Sequence, residues 1–176
     1  QQPDGNELMD HLNDIHDKNA GFTENIAWNS RDIDGKNSYE LLADVIDQKH
    51  HSKILDLACG SGVLLDLCDK RFNKSLNLSG VDINSAELNL ARERLCHTNI
   101  KLYESMAQNL NFFSDTSVDV ILCHWALTLM DPVIPVFSAV NRLLIKGGVF
   151  AAITDGDVNN SPSYHEIHNI IYECVQ

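Results

Sequence analysis

Gly60, Gly62 and Asp82 are the residues whose types and spacing carry the clearest chemistry in this sequence. The run Ala58-Cys59-Gly60-Ser61-Gly62 follows an apolar strand pattern, Lys53–Leu57, and precedes a helical one. A turn of small side chains therefore falls at the carboxyl end of a buried strand, where open α/β sheets bind their ligands. Glycines let a ligand approach the backbone, and the N–H groups opening the next helix favour a carboxylate or phosphate. A tight strand–helix turn would also use small residues, so a second feature is needed. Asp82 supplies it: twenty residues beyond Gly62, at the end of the next strand pattern, it is placed to accept hydrogen bonds from both ribose hydroxyls of a nucleoside. Leu65 stands where the dinucleotide fingerprint GxGxxG has its third glycine, which disfavours NAD.

His124 and Trp125 end a further strand pattern, Val118–His124. An imidazole with its ordinary pKa of about 6.5 suits a general base, and it equally suits a hydrogen bond to a neighbouring loop. Trp125 fits a packing role or the wall of an acceptor site. Upstream, Trp28, Arg31 and Tyr39 lie on a turn-rich stretch where surface or packing roles are ordinary. His165 and His168 lie three apart on an expected helix, with no carboxylate or cysteine constellation beside them, so no metal site is expected.

The elements that must position these residues alternate. Strand patterns at Lys53–Leu57, Leu78–Ile83, Ile100–Glu104, Val118–His124 and Val149–Thr154 are separated by helical ones at Val63–Phe72, Ser85–Cys96 and Pro132–Ile145. This order predicts an α/β fold with a doubly wound, mainly parallel sheet. Asn84 before Glu87, Ser163 before Glu166 and Asp131 before Pro132 read as helix starts, and Gly147-Gly148 as the end of the fourth segment. Two helices, Glu7–Asp17 and Tyr39–Gln48, lead into the sheet, joined by the polar, turn-rich stretch Asn19–Asn37. A last helix is expected at Ser163–Val175. Residues 1–52 are thus expected to form an N-terminal helical cap or lid, and residues 53–176 a Rossmann-like core that stops short at its C-terminus, as a fragment would.

Composition narrows the function class. With 44% apolar and 22% charged residues, the 176-residue chain has the make-up of one folded domain. No apolar run approaches the roughly 18 residues of a membrane span, and the polar start has no signal-peptide character. Five widely spaced cysteines suit reduced thiols, and the expectation is a cytoplasmic protein. A net charge of −12, with no cluster of Lys or Arg, argues against a direct nucleic-acid partner.

The run Ile54-Leu55-Asp56-Leu57-Ala58-Cys59-Gly60-Ser61-Gly62 resembles the first motif of class I S-adenosylmethionine-dependent methyltransferases, in the variant with alanine at the first glycine position. Gly80-Val81-Asp82-Ile83 resembles the second motif, Val118–His124 the fourth strand, and Leu143–Gly148 the turn before the fifth. The resemblance implies S-adenosyl-L-methionine as cofactor. Asp56 and the turn Ala58, Cys59, Gly60, Ser61 and Gly62 would then face its methionine part, Asp82 would hold the ribose, and Ile83, Met106 and Ala107 would enclose the adenine. It also places Cys123 beside the cofactor and His124 near the methyl group as a candidate base, puts Trp28, Arg31 and Tyr39 where the family often has a lid, and lets Arg31 pair with the methionine carboxylate. Many relatives have an aspartate where Met106 stands, leaving the adenine amino group to the backbone or Gln108. The family's sheet normally adds two further strands, one of them antiparallel, and nothing after Thr154 is expected to form either. The implied activity is methyl transfer to an N, O, S or C nucleophile of a small molecule by in-line displacement. A non-catalytic nucleoside-binding module or partner subunit is the alternative.

Overall fold

The computed structural model describes residues 21–155 and 167–173. The expected helix Glu7–Asp17, the Ser163–Glu166 cap and His165 lie outside them. In chain order the described elements are α1 (Phe22–Asn29), α2 (Ser38–Ala43), β1 (Lys53–Leu57), α3 (Val63–Arg71), β2 (Asn77–Asp82), α4 (Ser85–Arg94), β3 (Lys101–Glu104), β4 (Val118–His124), a 3-10 turn (Leu127–Leu129), α5 (Val133–Leu143), β5 (Leu144–Asp155) and β6 (Ile167–Glu173).

The sheet order is β3-β2-β1-β4-β5-β6, with the first five strands parallel. Strand residues alternate faces. Ile54, Leu122 and Ile153 pack with Leu42, Leu64 and Leu88 from the helices of one layer. Leu55, Ile121 and Phe150 pack with Val136, Val140 and Leu143 of α5 on the other. The sheet is therefore covered on both sides, as the alternating pattern predicts. β1 pairs with β2 on one side and β4 on the other, so the chain reverses its winding there and opens a crevice beyond the carboxyl ends of these strands. Among the described residues no helix is long and apolar enough to cross a membrane.

Local chemistry accounts for the helix starts. Asn84 accepts the Glu87 N–H at 2.9 Å, and Leu88, Ala91 and Leu95 are buried beneath α4. At α2, Asn37 and Glu40 form a reciprocal capping box. The helix spans only Ser38–Ala43, shorter than the expected Tyr39–Gln48.

Four expectations need correction. Part of the turn-rich stretch Asn19–Asn37 is helix α1, whose N-cap Gly21 makes no side-chain cap bond; tertiary docking of buried Ala27 and of Glu24 holds it instead. Asp131 does not cap α5, because the helix starts one residue later and places Pro132 at the N-cap. Gly147-Gly148 does not end a helix: pairing with β4 begins at Leu144 and the glycines lie inside β5, beside a register shift at Val118/Val120. Finally, the expected helix Ser163–Val175 contains the antiparallel strand β6, so the sheet does carry an antiparallel strand after Thr154. Ile167, Ile170, Ile171 and Tyr172 are strand-favouring types, and the open edge of β5 satisfies their backbone groups.

Candidate functional site

β1 and β4 are each followed directly by a residue with left-handed backbone, Ala58 (φ 61) and Trp125 (φ 49). Such conformations cost non-glycine residues about 1–3 kcal/mol and persist where surrounding structure enforces them. Here the enforcing bonds are backbone ones: Cys59 N–H donates to Val81 at 2.9 Å and Trp125 N–H to Ile153 at 2.8 Å. The two turns border one cleft, which extends from the glycine turn to Met130 and Asp131.

Asp82 holds the polar end of this cleft together. Its Oδ2 accepts the Gly60 N–H and its Oδ1 the Asn84 N–H, each at 2.8 Å. Asp56 also lines the cleft; it is 2% exposed, its Oδ1 lacks a hydrogen-bond partner, and burial together with the Asp82 charge raises its pKa well above the usual carboxylate range. Burial, then Asp56 and Asp82, push the Cys59 thiol up as well, so it stays protonated. Ser61 donates to Glu24 of α1 at 3.0 Å, and Arg94 of α4 donates to both oxygens of that carboxylate at 2.9 and 2.8 Å. Gly21 N–H donates to buried Glu87 at 3.1 Å. Through these bonds the start of α1 roofs the glycine turn.

Two residues expected to face a ligand do not line the cleft. Gly62 packs instead on α4: a Cβ there would lie 3.1 Å from both Ala91 and Leu95. Cys123 is fully buried in the opposite layer, one residue out of phase with Leu122. Leu65 occupies the position of the absent third glycine because Gly80 on β2 yields the space; a Cβ at Gly80 would meet Leu65 at 2.7 Å.

In the same lining, the rings of Tyr39, His124 and Trp125 form a row. Tyr39 stacks on His124 at 4.2 Å, and His124 on Trp125 at 5.0 Å. His124 Nε2 shares a 2.7 Å hydrogen bond with the buried Ser38 hydroxyl. Burial lowers the imidazole pKa to about 3, so the ring is neutral at pH 7 and a weak base. The Trp125 indole N–H is buried without a partner. Trp28 is exposed and touches only the rim of the row, 6.4 Å from Tyr39. Arg31 does not line the cleft; it donates to Glu40 Oε2 at 3.0 Å and to Gly35 O at 3.2 Å. Ile83 and Met106 are half-exposed on the cleft wall with Ala107 near them, and Gln108 donates to Pro132 O at 3.2 Å.

A family model described as a methyltransferase domain matches residues 54–148, just over half of the chain and the whole stretch from β1 to the glycines of β5. The chain belongs to this methyltransferase domain family. No curated protein matches it in sequence. Among solved structures, the domain resembles the PH0226 protein of Pyrococcus horikoshii OT3 at 27% identity, covering 69% of this chain and 52% of that one with a TM-score of 0.59. It shares its fold with the YcgJ protein of Bacillus subtilis (22% identity, 67% and 50% coverage, TM-score 0.60). The fold also matches an S-adenosylmethionine-dependent methyltransferase from Mesorhizobium loti (24% identity, 70% and 56% coverage, TM-score 0.58). The chain spans about half the length of these structures.

The residues of this methyltransferase domain fit a sulfonium cofactor. An unpartnered carboxylate oxygen on Asp56, with a second carboxylate close enough to raise its pKa, is an arrangement that a cation relieves. Glu24, Glu87 and Asn84 also line the cleft. Glu87 carried a signal only as a helix-start residue, and Glu24 none, because its role depends on the docking of α1. Among the described residues no group of three His, Cys, Asp or Glu is placed to hold a metal. His168 falls on β6 rather than on a helix.

Proposed function

We propose that this chain binds S-adenosyl-L-methionine in the cleft and transfers a methyl group to a small molecule. The observation that carries the reading is Asp56: a buried carboxylate with an unpartnered oxygen, next to Asp82 and beneath the glycine turn. In this reading Asp56, with Ala58 to Ser61, holds the methionine part, Asp82 the ribose, and Ile83, Met106 and Ala107 the adenine. The cofactor, when bound, supplies an activated methyl carbon. The chain's own work is positioning and exclusion of water, which orientation alone makes worth several kcal/mol. Residues 21–52 act as the lid, held by the Glu24 bonds to Ser61 and Arg94. The net charge of −12 supports a small-molecule acceptor over nucleic acid.

Titrating the protein calorimetrically with S-adenosylhomocysteine tests the reading. Saturable binding that Asp82→Ala weakens at least about tenfold is expected. In a thermal shift, a ligand at 100 times its Kd stabilises by about 2.7 kcal/mol. Stabilisation by NAD and none by S-adenosylhomocysteine would overturn it. Cofactor binding without turnover on any acceptor would leave the chain a binding module.

A further inference from the structure

We propose that the methyl acceptor is an uncharged, flat nitrogen heteroaromatic that attacks through a ring-nitrogen lone pair. The inference rests on the methyltransferase reading and deepens it. If Asp56 and Asp82 take the cofactor, the lining left for an acceptor includes Tyr39, His124, Trp125, Leu129, Met130 and Asp131.

Three properties of this wall converge. The first is charge. Among the described residues, every Asp, Glu, Lys or Arg side chain lining the cleft is a carboxylate: Glu24, Asp56, Asp82, Glu87 and Asp131. An anionic acceptor would lose its hydration beside these carboxyl groups, whereas a neutral one avoids the cost of desolvating a charge. The second is shape. Tyr39 and His124 stack with ring planes 17° apart, and His124 and Trp125 27° apart, a row of nearly parallel rings in the same lining as Leu129 and Met130. Both faces of His124 are covered, so a flat acceptor would stack on the partly exposed Trp125 that ends the row.

The third is the lack of a proton acceptor suited to neutral pH in this row. His124 sits between two rings with Nε2 on Ser38, and its conjugate acid has a pKa of about 3. The Tyr39 hydroxyl is held protonated by burial and then by the charges of Glu24 and Asp56. An alcohol, or an alkylamine protonated at pH 7, would have to shed a proton onto a base. A heteroaromatic nitrogen needs none: its lone pair forms the N–C bond as the S–C bond breaks, the S–C electron pair stays on sulfur, and the positive charge passes to the methylated ring. The total charge facing the carboxylates is unchanged.

Quinoline and naphthoate, matched in shape and opposite in the property at issue, test this on the full chain by calorimetry. Binding of S-adenosylhomocysteine is measured first, and its absence overturns the methyltransferase reading itself. With that ligand bound, quinoline is expected to bind at least about tenfold more tightly than naphthoate. Equal or tighter naphthoate binding, or no heat from either compound, overturns the acceptor assignment alone. Leu129→Lys, at a partly exposed position of the wall, is expected to narrow the preference about tenfold; an unchanged ratio overturns the charge argument. With S-adenosyl-L-methionine and quinoline together, mass spectrometry is expected to show N-methylquinolinium. Quinoline binding without that product overturns the proposal.

Discussion

Gly60 donates its backbone N–H to Asp82 Oδ2 at 2.8 Å, so the glycine turn after β1 and the acidic end of β2 form one hydrogen-bonded unit. The other Asp82 oxygen takes the Asn84 N–H at the cap of α4. Asp82→Ala should leave both donors without their acceptor, at about 1–3 kcal/mol for each one that stays buried and unsatisfied. Asp82→Asn keeps one acceptor oxygen and should lose less. Urea unfolding of the two variants checks the order; equal stabilities would show that Asp82 does not organise the turn.

Asp56 makes the opposite prediction. Burial and the neighbouring Asp82 hold its folded pKa well above the ordinary 3.8. A carboxyl raised on folding stabilises fully below its unfolded pKa, and that contribution is lost as pH rises through the folded value. Asp56→Asn should therefore gain on the wild type as pH rises above about 4, the unfolded carboxyl value. The same variant should bind S-adenosylhomocysteine less tightly. Urea midpoints at several pH values test the slope, and a difference between the proteins that does not change with pH would sink the argument.

The two glycines of the turn should separate on substitution. Both have positive φ, 51° at Gly60 and 79° at Gly62, so alanine strains either by about 1–2 kcal/mol. At Gly62 the added methyl also presses on Ala91 and Leu95 at 3.1 Å, whereas at Gly60 the nearest atom is Glu87 Oε2 at 3.7 Å. Gly62→Ala should thus be less stable than Gly60→Ala by about a further 1–3 kcal/mol. Gly60→Ala should chiefly weaken cofactor binding. Thermal unfolding paired with calorimetry distinguishes them, and equal melting temperatures would contradict the packing account.

The parallel core was legible because its signals are local. β1 and β4 occupy the residues that their apolar runs predicted, and α4 starts where Asn84 and Glu87 placed it. What escaped depends on tertiary contacts. α1 has no side-chain cap and relies on Glu24 meeting Ser61 and Arg94 across the fold. β6 shows a run of isoleucines that fits helix or strand until the open edge of β5 chooses. The resemblance puts Cys123 beside the cofactor, yet strand alternation sends its side chain to the far layer. Arg31 looked available for an anion, and only the fold shows Glu40 taking it.

His124 is where sequence and environment diverge most, and its protonation is directly measurable. Burial depresses the imidazole from an ordinary 6.5 to about 3. A histidine whose pKa falls on folding contributes stability that is complete above pH 6.5 and is lost as pH drops from there toward 3. His124→Gln, neutral at every pH and able to bond the Ser38 hydroxyl, should therefore be less sensitive to acid than the wild type through that window, even if it is less stable at pH 7. In turnover assays the two proteins should share the shape of their kcat profile, because a ring that stays neutral from pH 5 to 9 contributes no limb there. NMR of the His124 ring protons from pH 8 to 4.5 checks the premise directly. A titration centred near 6.5, with an acidic limb of kcat that His124→Gln abolishes, would make His124 the general base and require the Ser38 bond to open during the reaction.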